Sequence, residues 1–283
     1  MLRGSNREEK RQTEVGFAKM RLLHHSVSGV TKRGERIMVL DRIPARRLQT
    51  VRTAILKAPR YSSDGWEWIG DEGLKYLTKK RANKYLFACI LDYQMEADYL
   101  WVKCREFLET ELDDPDCLWD VVAKFPLSKW LKRTRDFGLH RFKDAAHRRV
   151  WIIARRICDE YAGDARLIWR NRTTAESAER MEELGVGPRL SRMAAGGLAD
   201  TGWIKGRSDV KADVHVCRTL GRILAGKDLE PNATVALARR IYPRNPWRLD
   251  GPLFVIGKGY CHATEPDCPE CTLRRNCLYG RKR

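Results

Sequence analysis

Four cysteines crowd into the last 23 residues, Cys261, Cys268, Cys271 and Cys277, in the spacing C-x6-C-x2-C-x5-C. Soft thiolates this close together suit zinc or an iron-sulfur cube, because both accept four sulfurs in tetrahedral disposition. Structural zinc usually sits between two tight C-x2-C knuckles, whereas a single C-x2-C flanked by longer arms wraps better around a cube. Both metals, and four free thiols, stay open on spacing alone. The other five cysteines, Cys89, Cys104, Cys117, Cys158 and Cys217, are scattered among apolar residues and are expected to be small buried hydrophobes. A secreted disulfide protein spreads its cysteines through the fold, so this clustering points to a metal site.

The same tail is basic: Lys258, Arg274, Arg275, Arg281, Lys282 and Arg283 surround the loop. Over all 283 residues, 55 Lys and Arg stand against 37 acids, a formal charge of +18. An excess this large attracts a polyanion through counterion release, and nucleic acid is the first candidate partner. No run approaches the roughly 18 to 20 apolar residues that span a bilayer, and the polar start has no signal-peptide core. The expected location is the cytoplasm with the nucleoid, or a nucleus, with no membrane partner.

Residues 1–37 carry nine Lys/Arg and four Asp/Glu and read as a basic, flexible tail. From Pro44 the pattern becomes helical, with Leu48, Val51, Ile55 and Leu56 at spacings of three and four. Further apolar runs, at 85–95, 99–108, 118–125, from Trp130, at 150–157 and at 167–169, read as short helices, and strand-like alternation is nearly absent. The expected fold class is all-α. Thr173-Thr174-Ala175-Glu176 has capping-box spacing and starts a helix that runs to Leu184. Gly185-Val186-Gly187-Pro188 follows. Two glycines around one apolar residue allow a tight reversal with exposed N–H groups, and Pro188 suits the first position of the next helix. Such a turn can cradle an anion, although a lone Gly-Val-Gly is more often an ordinary connection.

About 25 residues on stands Val210-Lys211-Ala212-Asp213-Val214-His215-Val216-Cys217-Arg218. The order of helix, Gly-Val-Gly, helix, Asp-x-His and cysteine loop resembles the endonuclease III-like helix-hairpin-helix DNA glycosylases. The cysteine spacing resembles that family's iron-sulfur loop ligand for ligand, and Gly257-Lys258-Gly259-Tyr260-Cys261 resembles its approach. The resemblance implies a [4Fe-4S] cluster on Cys261, Cys268, Cys271 and Cys277, with Asp213 as the catalytic carboxylate. The expected phosphate contacts are the hairpin residues Gly185, Val186 and Gly187 with Arg189, and Lys258 and Arg274 of the basic tail. Gln94, in Leu91-Asp92-Tyr93-Gln94 on an early helix, matches the glutamine that the family inserts into double-stranded DNA. The resemblance runs from about Tyr85 to Cys277. Breaking an N-glycosidic bond builds positive charge on the sugar, so one fixed carboxylate can stabilise the transition state and orient water.

The family's lyase members place a lysine where this chain has Arg189. Arginine stays protonated and cannot form a Schiff base, so a monofunctional glycosylase is expected. Lys205 or Lys211, in the connection before Asp213, are the alternative amines. That connection, with Gly196-Gly197 and Trp203, is a few residues longer than is usual for the family. The alternative for Asp213 is that it only caps the helix beginning near Val214. His215 is read as a buried or capping residue, Arg218 and Arg222 as a solvated or phosphate-facing stripe, and Tyr93 and Trp203 as core aromatics. Six residues follow Cys277, so the extra domain of adenine-specific mismatch glycosylases is not expected, and adenine opposite oxidised guanine is a poor substrate guess. The implied architecture is two-lobed: 1–37 a tail, 38–81 a helical segment packing with the cluster lobe, 82–220 a helical barrel lobe with the hairpin, and 221–283 the C-terminal helices and cluster loop. A monomer is expected. The rival readings are a DNA-binding module that lost its chemistry and a zinc-ribbon nucleic-acid binder.

Overall fold

The computed structural model describes residues 42–59, 67–70 and 75–283. The reading of 1–37 as a tail lies outside them. Among the described residues the chain is helical throughout, and its single β-bridge joins Thr173 to Lys205. We number the helices α1 Ala45–Lys57, α2 Glu67–Gly70, α3 Lys79–Leu91, α4 Ala97–Thr110, α5 Leu118–Lys124, α6 Leu127–Phe137, α7 Lys143–Tyr161, α8 Arg166–Trp169, α9 Thr174–Glu183, α10 Pro188–Asp200, α11 Val214–Ala225, α12 Pro231–Ile241 and α13 Asp250–Gly259. Among the described residues, no helix is long and apolar enough to cross a membrane.

The central element is α3. Its N-terminus is capped by Thr78, whose hydroxyl accepts the Arg81 amide at 3.2 Å. Nine of its residues are buried, and every residue from Tyr85 to Leu91 is, so this half of the helix must be enclosed by others. Leu86, Phe87, Ile90 and Leu91 have no exposed surface; burying each stabilises the fold by roughly 1.5–3 kcal/mol. Helices α4, α5, α7, α8 and α10 pack around α3, and one continuous apolar core runs from Trp68 to Ile204, joined by Trp247.

A second group of helices assembles from distant parts of the chain. Helix α11 packs on α12 and α13, and α1 packs on α12, α13 and the 3-10 turn Arg274–Asn276. Leu48, Val51 and Ile55 are the buried face of α1, as the three-and-four spacing predicts. Arg47 fastens this helix to the cysteine segment through the Asn276 side chain and carbonyl.

Candidate active site and cysteine loop

The predicted hairpin is present. Thr173 and Glu176 form the capping box of α9, the Glu176 amide donating to Thr173 Oγ1 at 3.3 Å and the Thr173 amide to Glu176 Oε2 at 2.7 Å. Gly185 and Gly187 have φ of 100° and 88°, which side chains strongly disfavour. Val186 between them is fully buried and pins the turn to the core. Pro188 opens α10, whose N-cap Gly187 supplies no side-chain cap, and Arg189 beside it is exposed.

Asp213 is the N-cap of α11, its Oδ1 accepting the amides of His215 and Val216 at 2.9 Å each. The capping role considered from sequence is therefore met, and Asp213 also lines a cavity of about 130 Å³. That volume is below the ~300 Å³ of pockets for drug-sized ligands, and is on the scale of a single flat ring. The residue before it, Ala212, is buried with φ of 52°, a conformation that costs energy without glycine. This turn brings Lys211 and Asp213, two residues apart, to line the same cavity.

Three further carboxylates line it: Asp92, at the end of α3, Asp200, at the end of α10, and Asp250, at the start of α13. Lys211 Nζ lies 3.7 Å from Asp92 Oδ1, and the Lys211 amide donates to Asp250 Oδ1 at 2.6 Å. Burial pulls the Lys211 ammonium down, but Asp92, Asp213 and Asp250 outweigh it and hold it above the ordinary lysine value. Burial, reinforced by the charge of Asp213, pushes the Asp250 carboxyl up to about 7. Asp92 also accepts the Trp101 indole at 3.4 Å, and Asp200 accepts that of Trp247 at 2.7 Å.

Trp101, Trp247 and Phe254 supply aromatic walls. Trp247 lies so close to α10 that a Cβ on Gly196 would stand 2.3 Å from its ring. The glycine noted in the long connection is thus part of a helix and lets the indole press against it. Two larger open grooves, of about 690 and 630 Å³, touch neither Asp213 nor the hairpin.

Gln94 lies beyond the end of α3, in the turn before α4, rather than on a helix. It is exposed with φ of 51°, and its carbonyl accepts Arg141 Nη1 at 3.2 Å. Its neighbour Tyr93 stacks on Phe142 at 5.9 Å between ring centres. Lys258, on α13, pairs with Glu96 of the same turn at 2.8 Å. Arg274 is exposed and reaches the Arg283 carbonyl at 3.4 Å. Lys205 is exposed and held by main-chain bonding to Thr174, away from the cavity residues. Trp203 donates to the Ile69 carbonyl at 2.6 Å, a packing role. His215 meets Phe254 edge-on at 5.2 Å and Arg218 Nη2 through Nδ1 at 3.1 Å.

Arg218 and Arg222 correct the stripe expected from their spacing. Both are buried and both hold the cysteine segment. Arg218 donates to the carbonyls of Cys261 and Gly257; Arg222 donates to those of His262 at 2.7 Å and Ala263 at 3.1 Å, and stands 3.7 Å from Cys261 Sγ. A charged side chain survives burial when its donors are all used, and carbonyl-rich loops satisfy a guanidinium fork. Cys117 corrects another expectation: it is exposed, whereas Cys89, Cys104 and Cys217 are buried.

Among the described residues, no three or more His, Cys, Asp or Glu form a group that could hold a metal ion. Burial first, and then the neighbouring thiolates, push Cys268, Cys271 and Cys277 up. The Gly280 amide donates to Cys277 Sγ at 3.3 Å. An all-sulfur donor set with amide and guanidinium donors turned toward the sulfurs fits an anionic iron-sulfur group.

Asp92, Asp200, Trp247 and Asp250 were not singled out from sequence. Asp92 sits two residues before Gln94, which was a usable signal; Asp200, Trp247 and Asp250 carry none, since only packing brings them to Asp213.

No protein-family model matches the chain. A curated endonuclease III from Thermotoga maritima aligns over 170 residues at 25% identity, covering 60% of this chain and 66% of that relative. The chain thus spans just under two thirds of the relative's length. A solved structure of a trapped endonuclease III–DNA covalent intermediate, an estranged-adenine complex, matches with a TM-score of 0.57 at 17% identity, over 85% of this chain and 98% of that one. A thermostable thymine-DNA glycosylase matches with a TM-score of 0.59 at 16% identity, over 84% and 98%. At these identities the structures show the shared fold.

Proposed function

We propose that this chain, endonuclease III-like in sequence and fold, is a DNA glycosylase of base-excision repair that hydrolyses the N-glycosidic bond of a flipped base. One observation carries the reading: the carboxylate that follows the glycine hairpin, Asp213, lines a ring-sized cavity walled by aromatics. The hairpin amides, Arg189, Lys258 and Arg274 would hold phosphates of double-stranded DNA, and Gln94 would fill the gap left by the extruded nucleotide. Asp213 would face the sugar, where two amide donors and the positive end of α11 stabilise its negative charge. The protein would act as a monomer, in the cytoplasm with the nucleoid or in a nucleus.

The test is a panel of duplexes bearing uracil, thymine, oxidised, alkylated or modified bases, followed by alkaline cleavage. Release that vanishes in Asp213→Asn supports the proposal; tight binding with no release from any duplex supports a non-catalytic DNA-binding module.

Cys261, Cys268, Cys271 and Cys277 would hold a [4Fe-4S] cluster, which when bound supplies a rigid clamp for the basic tail and takes no part in bond cleavage. A brown protein with iron and sulfide supports it; a colourless protein with zinc supports a ribbon. The hydrolytic reading is monofunctional, because Arg189 replaces the family amine. Of the two alternative amines for a lyase step, Lys211 lines the cavity with Asp213 and Lys205 does not.

A further inference from the structure

The cavity contains more acid than one glycosidic carboxylate requires. Lys211 is paired with Asp92 at 3.7 Å, Asp200 is engaged by Trp247, and Asp213 by the α11 amides. Asp250 has one oxygen bonded to the Lys211 amide at 2.6 Å, lines the same space, and is 6% exposed. The groups facing the cavity beside it are Asp92, Asp200, Lys211, Asp213 and Arg248.

Resting on the glycosylase reading, we infer that Asp250 is a second catalytic residue, a general acid that protonates the departing base, and that the substrate is therefore a neutral base. The geometry divides the labour. Asp213, its Oδ1 bound by the His215 and Val216 amides at the helix N-terminus, faces the positive C1′ that develops in the sugar. Asp250, enclosed and beside that charge, is the carboxyl that keeps its proton near neutrality.

The step balances. The C1′–N bond breaks with its electron pair going to the base; the Asp250 carboxyl proton goes to that base, which leaves neutral. Water forms the new C1′–O bond, its proton passes to solvent, and solvent reprotonates Asp250. A cationic alkylated base already carries the charge that protonation supplies, so it gains nothing from such an acid. A neutral base gains on the order of 10²- to 10⁴-fold.

Single-turnover release would be measured on duplexes with uracil or thymine opposite guanine, 5-hydroxycytosine, and 7-methylguanine, for wild type and Asp250→Asn. Asparagine keeps the oxygen that accepts the Lys211 amide. The expected result is release of a neutral base by wild type, slowing as pH rises above about 7, with Asp250→Asn at least about 100-fold slower and lacking that limb. Release of only 7-methylguanine, or equal rates and pH profiles in both proteins, overturns the acid role and leaves the glycosylase reading standing. No release of any base by wild type defeats the glycosylase reading itself. Infrared spectra of the wild-type protein without DNA give an independent check: a protonated-carboxyl band below neutrality that Asp250→Asn lacks supports the assignment, and no such band overturns it.

Discussion

Lys211 Nζ stands 3.7 Å from Asp92 Oδ1, so an amine two residues before Asp213 is tied to the end of the central helix α3. The pair joins the hairpin-side core to the segment that leads into α11. Both side chains are largely buried, at 16% and 9% exposure, so removing one partner strands the other's charge in a poor solvent. Lys211→Met or Asp92→Leu alone should cost about 3–5 kcal/mol in urea unfolding, and the double variant distinctly less than the sum. Additive losses would show that the pair is not coupled.

Borohydride trapping on an abasic duplex should give little covalent complex, because Asp92 and Asp213 beside Lys211 hold it as an ammonium. Any trapped product should disappear in Lys211→Ala and persist in Lys205→Ala. The reverse pattern would remove Lys211 from the site's chemistry.

The capping role of Asp213 and the catalytic role proposed for it can be separated. Asparagine caps a helix about as well as aspartate but carries no charge. Asp213→Asn should melt like wild type and release no base, whereas Asp213→Ala should also lose about 1 kcal/mol of stability. A fully active Asp213→Asn protein would reduce the residue to a cap.

Asp250 also sets a pH dependence of folding. Its folded-state value is raised from 3.8 to about 7, so between those values the folded chain holds the proton more tightly than the unfolded chain. The stabilisation is full below about pH 4 and is lost as pH rises toward 7. Thermal melts should show the advantage of Asp250→Asn over wild type widening from about pH 4 to about pH 7 and levelling off above it. A constant gap would mean that the carboxyl titrates normally.

Local patterns were legible wherever one segment sufficed. The capping box at Thr173, the two glycines that demand positive φ, Pro188 at the start of α10 and the apolar face of α1 are all properties of a few consecutive residues. Arg218 and Arg222 were misjudged because a spacing of four says which residues share a face but not what that face meets. Gln94 was placed on a helix because the apolar run continues past Leu91, and the chain instead turns there at φ of 51°.

By itself, the order of residues determined the helical class, the hairpin and the carboxylate that leads α11, because each is encoded by period, cap or spacing along the chain. Only the tertiary structure decided which groups share the cavity. Asp92, Asp200, Lys211 and Asp250 come from four segments as much as 158 positions apart in the numbering, and their proximity follows from enclosing α3 and pressing Trp247 onto Gly196. Packing of that kind depends on shapes meeting across the core, and no local pattern records it.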